Sequence, residues 1–252
     1  MLLRIHSLSV AYGGVRAVDG VSIDVEAGTL VGLIGPNGAG KTSLIDALSG
    51  FVAYDGGVTL DGAALDDLAP HQRVRHGLAR SFQTVELFDD LDVRGNLLVA
   101  TERLTVGRAL RDLVAPRRPG TPGALERAVD VVGIRPLLDR STAELSEGER
   151  KLVGVCRALV TEPRVLLLDE PAAGLDTEES RRLGDRLRAV VAAGTTVVLV
   201  DHDMDLVLGV CDVVHVIEGG RHIATGPPDE IRRDPRVAAA YLGTAVVGGA
   251  GR

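Results

Sequence analysis

The chain has 252 residues, of which 25% are charged and 45% hydrophobic, and its formal net charge is -7. That hydrophobic fraction excludes intrinsic disorder, and 31 Gly with 11 Pro exclude collagen-like or low-complexity readings. The acidic balance and the scarcity of aromatics (three Phe, three Tyr, no Trp) argue against a dedicated nucleic-acid binder, which needs basic charge and stacking rings, so no nucleic acid is expected as a partner.

Read in chain order, Arg4 and His6 interrupt the opening residues, so no export signal is expected there. Up to about Asp61 the chain is punctuated by Gly13-Gly14, Gly28 and Gly56-Gly57, which predicts an antiparallel β portion. Leu30 to Ile34 is apolar without alternation, the pattern of a strand covered on both faces, and Lys41 to Leu48 follows as a helix. Residues 86 to 145 lack buried-strand runs and are rich in helix formers, so a helical subdomain is expected over about 86–160. Within it, 103–123 carries Arg117-Arg118-Pro119-Gly120-Thr121-Pro122-Gly123, read as a solvated loop. Helices at Gly148 to Val160, Glu178 to Ala193 and Asp205 to Val210 then alternate with strands at Val165 to Leu168, Val197 to Val200 and Val213 to Ile217. This alternation predicts a single α/β domain over 1–252, with a mainly parallel sheet flanked by helices. Ala189 to Val200 is the longest apolar stretch, and Gly194, Thr195 and Thr196 break it well short of the ~20 residues of a membrane span. Cys156 and Cys211 stand alone among apolar residues and read as buried hydrophobes in a reducing cytosol. The Gly- and Ala-rich tail, 244–252, is expected to fray.

Four motifs carry chemistry. Gly35-Pro36-Asn37-Gly38-Ala39-Gly40-Lys41-Thr42 fits G-x-x-x-x-G-K-[ST], with an apolar strand running in and a helix starting at the lysine. Successive backbone N–H groups in such a loop converge on phosphate oxygens, Lys41 reaches the β/γ-phosphates, Thr42 offers a hydroxyl for Mg²⁺, and the adjoining Ser43 is counted with the nucleotide-binding residues. Val165-Leu166-Leu167-Leu168-Asp169-Glu170 is a buried strand ending in two carboxylates, the address at which α/β sheets bind ligands. Asp169 is read as the Mg²⁺ carboxylate and Glu170 as the general base for water. Val197 to His202 repeats the design and delivers an imidazole, His202, to the same edge. Leu145-Ser146-Glu147-Gly148-Glu149 opens a helix with an S-x-x-E capping box, which suffices as a structural explanation. The free N–H groups of that helix start also suit an anion, which would then belong to another subunit's nucleotide.

The order of these motifs, with Gln83 between them and Gly174-Leu175-Asp176 after Leu-Leu-Leu-Asp-Glu-Pro, resembles the nucleotide-binding subunit of an ATP-binding cassette (ABC) transporter over nearly the whole chain. The resemblance implies a P-loop NTPase core with an N-terminal antiparallel β portion and an inserted helical subdomain. It implies ATP and Mg²⁺ as cofactors, an aromatic contact to adenine from Tyr12, and metal and water contacts from Gln83, which would sense the membrane subunit. Ser146 and Gly148 resemble the signature residues that close over a partner's γ-phosphate, and Asp176 the acid coupling the two sites of a dimer. Glu147 stands where many members carry a glycine, and Glu149 where Gln is frequent; an active enzyme is nonetheless the reading.

Within that family, Arg80-Ser81-Phe82-Gln83, Asp201-His202-Asp203-Met204 and Asp234 to Gly243 resemble the branched-chain amino acid uptake group. The implied partners are two membrane permeases, a second ATPase subunit (itself or a sister chain) and, indirectly, an extracytoplasmic substrate-binding protein. The implied location is peripheral, at the cytoplasmic face of the membrane. Alternatives are the ATPase of a lipid or glycan exporter or of a urea importer, and a soluble cassette ATPase outside transport.

Overall fold

The computed structural model describes residues 1–81, 86–101 and 123–247, those from 242 onward in backbone only. Gln83, nearly all of the 103–123 loop and residues 248–252 lie outside the described residues. Strands β1 (Leu3–Tyr12) and β2 (Val15–Val25) fold back on each other over Gly13-Gly14. With β4 (Asp55–Leu60) and β5 (Ala63–Ala64) they make an antiparallel sheet of order β2-β1-β4-β5. Gly56-Gly57 differs from the expectation of a turn. Both glycines lie inside β4, opposite a register shift of β1 between His6 and Ser9, where the two backbones approach closely.

A second sheet contains β3 (Leu30–Ile34), β6 (Leu78–Ser81), β7 (Val165–Asp169), β8 (Thr196–Val200), β9 (Val213–Glu218) and β10 (Arg221–Gly226). Its order is β10-β9-β3-β8-β7-β6, parallel throughout except for β10. Because side chains alternate along a strand, each central strand feeds two cores. Leu30, Ile34, Leu166, Leu168, Val197 and Leu199 enter the core shared with the helical side. Val31, Leu33, Val165, Leu167, Val198 and Val200 enter the core between this sheet, the antiparallel sheet and α1 (Lys41–Ser49). Their burial explains the uninterrupted apolar runs, and each such side chain contributes roughly 1.5–3 kcal/mol.

Helix α2 (Pro70–Arg75) precedes β6. On the helical side, α3 (Val93–Thr101), α4 (Gly123–Val132) and α5 (Glu147–Leu159) pack together, and α5 also lies on β6 and β7. Helices α6 (Thr177–Ala192) and α7 (Met204–Val210) cover β3 and β8 on this face. Two short C-terminal elements follow, α8 (Pro228–Arg233) and α9 (Pro235–Val247). Helix α9 continues past Gly243 to Val247; one interior glycine costs a helix only about 1 kcal/mol. Cys156 and Cys211 are buried free thiols, pushed up to about 12 by burial. Among the described residues no helix is long and apolar enough to cross a membrane.

Candidate functional site

Strands β3, β8 and β7 lie side by side and parallel, so their carboxyl ends open on one edge of the sheet. The phosphate-loop sequence leaves β3, Asp169 ends β7 with Glu170 next to it, and Asp201 and His202 follow β8. Strand order therefore gathers three motifs that the sequence keeps far apart.

Helix α1 begins at Lys41 with Gly40 as its cap, and no side chain satisfies its first amides. The N–H groups at 41–43 thus have no intrahelical acceptor, which suits an anion. Gly40 has φ 101°, and a Cβ there would stand 2.2 Å from the Ala17 carbonyl oxygen of β2, so only glycine fits. The loop is held from the other side by the β9–β10 turn, where Gly220 N–H donates to the Ala39 carbonyl at 3.0 Å. Lys41 is buried, and its Nζ donates to the carbonyls of Gly35 (2.6 Å) and Pro36 (3.2 Å). Burial lowers the ammonium's pKa, against the opposing pull of Glu170, Asp169 and Asp201. Asn37, Gly38 and Thr42 are exposed on the same loop, and Ser43 is half-buried.

Asp169 is buried, and burial raises its carboxyl pKa despite Arg80, whose Nη2 donates to Oδ2 at 2.8 Å. The other end of that guanidinium donates to Asp46 Oδ1 on α1 at 2.6 Å. Glu170 sits at φ 48°, an unfavourable backbone region for a residue with a Cβ, and its N–H donates to Val200 O at 2.7 Å. That bond fixes the residue after β7 on the end of β8. Asp201, fully buried, accepts from Ala172 N–H and from Asp203 N–H, both at 3.0 Å, and so clasps the turn after β7 to the turn after β8. His202 is exposed; its Nδ1 lies 3.6 Å from Asp201 Oδ1, beyond a hydrogen bond, so the ring can turn towards a ligand.

The remaining sequence-derived residues fall into two groups. Tyr12 ends β1 and is half exposed, at the tip of the hairpin whose second strand presses on Gly40. Ser146 and Asp176 cap α5 and α6, each in a closed capping box with Glu149 and Glu179 respectively. Their helix starts meet across a cleft of about 70 Å³ lined by Ser146, Gly148, Glu149 and Glu179. Among the described residues, neither Ser146 nor Asp176 is bonded to the group around Lys41. Glu147 is exposed at the start of α5, 3.9 Å from the buried Lys151 Nζ one turn on. Sequence reasoning missed Arg80, Asp46 and Asp201 as organisers of the edge. The available signal was a charged residue on or beside an apolar strand, and only strand neighbours give it meaning.

A phosphate loop, two strand-end carboxylates and an imidazole on one sheet edge can bind a nucleoside triphosphate and direct water at its terminal phosphate. The donor set fits Mg²⁺ as well. Thr42 offers a hydroxyl and Asp169 a carboxylate, and such an ion takes its other oxygens from phosphate and water.

A family profile described as ABC transporter matches residues 18–173, and one described as branched-chain amino acid ATP-binding cassette transporter matches 221–247. The chain is 40% identical, over 252 residues, to the high-affinity branched-chain amino acid transport ATP-binding protein LivG of Salmonella typhimurium, covering 97% of this chain and 98% of that one. It is 38% identical to the corresponding protein BraF of Pseudomonas aeruginosa, with the same coverage. Among solved structures it resembles the ADP conformation of an ATP-binding cassette of an ABC transporter, with TM-score 0.84, 30% identity, and coverage of 96% of this chain and 98% of that chain.

Proposed function

Since the chain belongs to the ABC transporter family of ATP-binding cassettes, an ATPase family, we propose that its ATP hydrolysis powers import of branched-chain or other hydrophobic amino acids through partner permeases. The observation that carries this reading is the likeness to branched-chain transport ATP-binding proteins along almost the entire length, reaching into the C-terminal 221–247 segment. Two permeases, a second ATPase subunit and an extracytoplasmic binding protein complete the proposed assembly, with this chain at the cytoplasmic face of the membrane.

In this reading the 35–43 loop receives the phosphates, and Tyr12 stacks on the base. Lys41 exchanges its hydrogen bonds to the Gly35 and Pro36 carbonyls for phosphate oxygens, so the loop is already shaped for an anion. Thr42, Asp169 and Gln83 would hold Mg²⁺, which neutralises charge on the β- and γ-phosphates. A Glu170 carboxylate oxygen accepts the proton of the attacking water, and the bond from its N–H to Val200 O keeps that oxygen at the edge. His202 donates an imidazole N–H to the γ-phosphate. Ser146 and Gly148 present the start of α5 to the nucleotide of the partner ATPase, and Asp176 couples the two sites.

The test is reconstitution in proteoliposomes with the cognate permeases and binding protein. Leucine or valine should stimulate ATP hydrolysis and be taken up, whereas a basic amino acid should do neither. Hydrolysis without any response to hydrophobic amino acids would reject the substrate class and leave the ATPase assignment intact.

A further inference from the structure

Arg80 has no place in the chemistry above, yet it joins two elements of the site. Strand β6 pairs in parallel with β7, with Arg80 beside Leu167 and Ser81 beside Leu168. Leu167 faces the core that α1 covers. Asp169, two residues on, shares that face by the alternation of the strand, and so does Arg80 by its register. The side chain consequently runs along the α1 side of the sheet towards the carboxyl end of β7. There its two terminal nitrogens separate. Nη1 donates to Asp46 Oδ1 at 2.6 Å, and Nη2 donates to Asp169 Oδ2 at 2.8 Å. The Arg80 and Asp169 side chains are 9% and 4% exposed, so the pair is little screened by solvent. The guanidinium also lies over the Phe51 ring, 6.0 Å from its centroid.

We propose that Arg80 is a positioning residue for the metal carboxylate, tying Asp169 to the phosphate-loop helix through Asp46. The proposal rests on the reading that Asp169 serves Mg²⁺. A planar fork with donors at both ends can hold two carboxylates in fixed relation, whereas a lysine ammonium is a point charge on a flexible stem. With Oδ2 held by Arg80, Oδ1 would be the carboxylate oxygen left for the ion. Thr42 and Asp169, two of the residues that would hold the ion, stand on two elements whose spacing Arg80 sets: α1, which also carries Asp46, and β7. Without Arg80, the buried Asp169 carboxylate and the half-buried Asp46 carboxylate lose the guanidinium between them, and Asp169 loses its defined orientation.

The test compares Arg80→Met, Arg80→Lys and Asp46→Asn with the unaltered protein. Calorimetry measures ATP binding in EDTA and at increasing Mg²⁺, and ATPase assays give the Mg²⁺ concentration for half-maximal rate. Removing an outer partner of a metal ligand commonly costs about 10–100-fold in metal affinity. Arg80→Met should therefore raise the Mg²⁺ midpoint by about tenfold or more, with ATP affinity in EDTA changed less than about twofold. Arg80→Lys and Asp46→Asn, each keeping one half of the link, should fall between. A folded Arg80→Met protein with the unaltered Mg²⁺ midpoint overturns the proposal. If that variant fails to fold, Arg80→Lys decides, and an unaltered midpoint there overturns it equally. An original protein whose ATP binding and turnover ignore Mg²⁺ would reject the metal reading itself, and the proposal with it, before any variant is compared.

Discussion

His215 offers a test of how the sheet is held together. It lies on β9 beside Leu33 of β3, the strand that delivers the phosphate loop, and its side chain turns into the apolar space lined by Ile23, Val31, Leu33 and Leu44. Its Nδ1 is 3.1 Å from His222 Nε2 on β10, and among the described residues its Nε2 has no partner. Burial first, and then the neighbouring His222, bring its pKa down to about 4, against a small opposing pull from Asp24. Burial lowers the pKa of His222 as well. An unfolded histidine titrates near 6.5, and each pH unit of separation corresponds to about 1.4 kcal/mol. The native state thus binds fewer protons than the unfolded chain between these values. The contribution is fully present above pH ~6.5, declines as pH falls, and levels off near pH 4, with a total on the order of 3 kcal/mol. Roughly 2 kcal/mol of this lies between pH 6.5 and 5, above the range where ordinary carboxylates titrate. Urea unfolding of the original protein and His215→Leu at several pH values between 7.5 and 5 isolates the effect, because the exposed histidines are common to both. Stability of the variant should fall by about 2 kcal/mol less across that interval. Equal losses in the two proteins would show that His215 is not held neutral by its surroundings.

Three further predictions concern the nucleotide. Glu170→Gln removes the base while keeping shape, so ATP should bind while hydrolysis falls by about 10²–10⁴, and gel filtration with ATP and Mg²⁺ should show a trapped dimer; normal turnover would remove Glu170 from the mechanism. Lys41→Ala should weaken ATP binding and abolish hydrolysis with the fold intact, since the ammonium favours both the bound phosphates and the transition state; unchanged affinity by calorimetry in a folded protein contradicts the assignment. Lys41→Ala and Ser146→Arg, each inactive alone, should recover ATPase activity on mixing, because one of the two composite sites then has an intact lysine and an intact serine. The mixing uses the sister subunit if that is the natural partner, and neither activity nor an ATP-dependent dimer in any pairing would exclude a shared site.

Much of the fold was legible because its signals are local. A phosphate loop needs glycines and a lysine within eight residues, between a strand and a helix, so the whole device is written contiguously from Gly35 to Thr42. Strands covered on both faces are apolar at most positions, which made β3, β7, β8 and β9 visible as runs. The caps of α5 and α6 are likewise four-residue patterns. Strands β6 and β10 carried no such signal, since one is short and ends in polar residues and the other is partly exposed at the sheet edge.

Tertiary structure alone decided which strand stands beside which, and with it every contact that organises the site. Asp46 and Asp169 lie 34 and 89 residues from Arg80, and Ala172 lies 29 from Asp201. No spacing rule joins such partners. Propensity and periodicity act over a few turns of chain, whereas the order β9-β3-β8-β7-β6 reflects packing summed over two cores at once. The sequence therefore specified which groups could do the chemistry, and the strand order determined which of them meet.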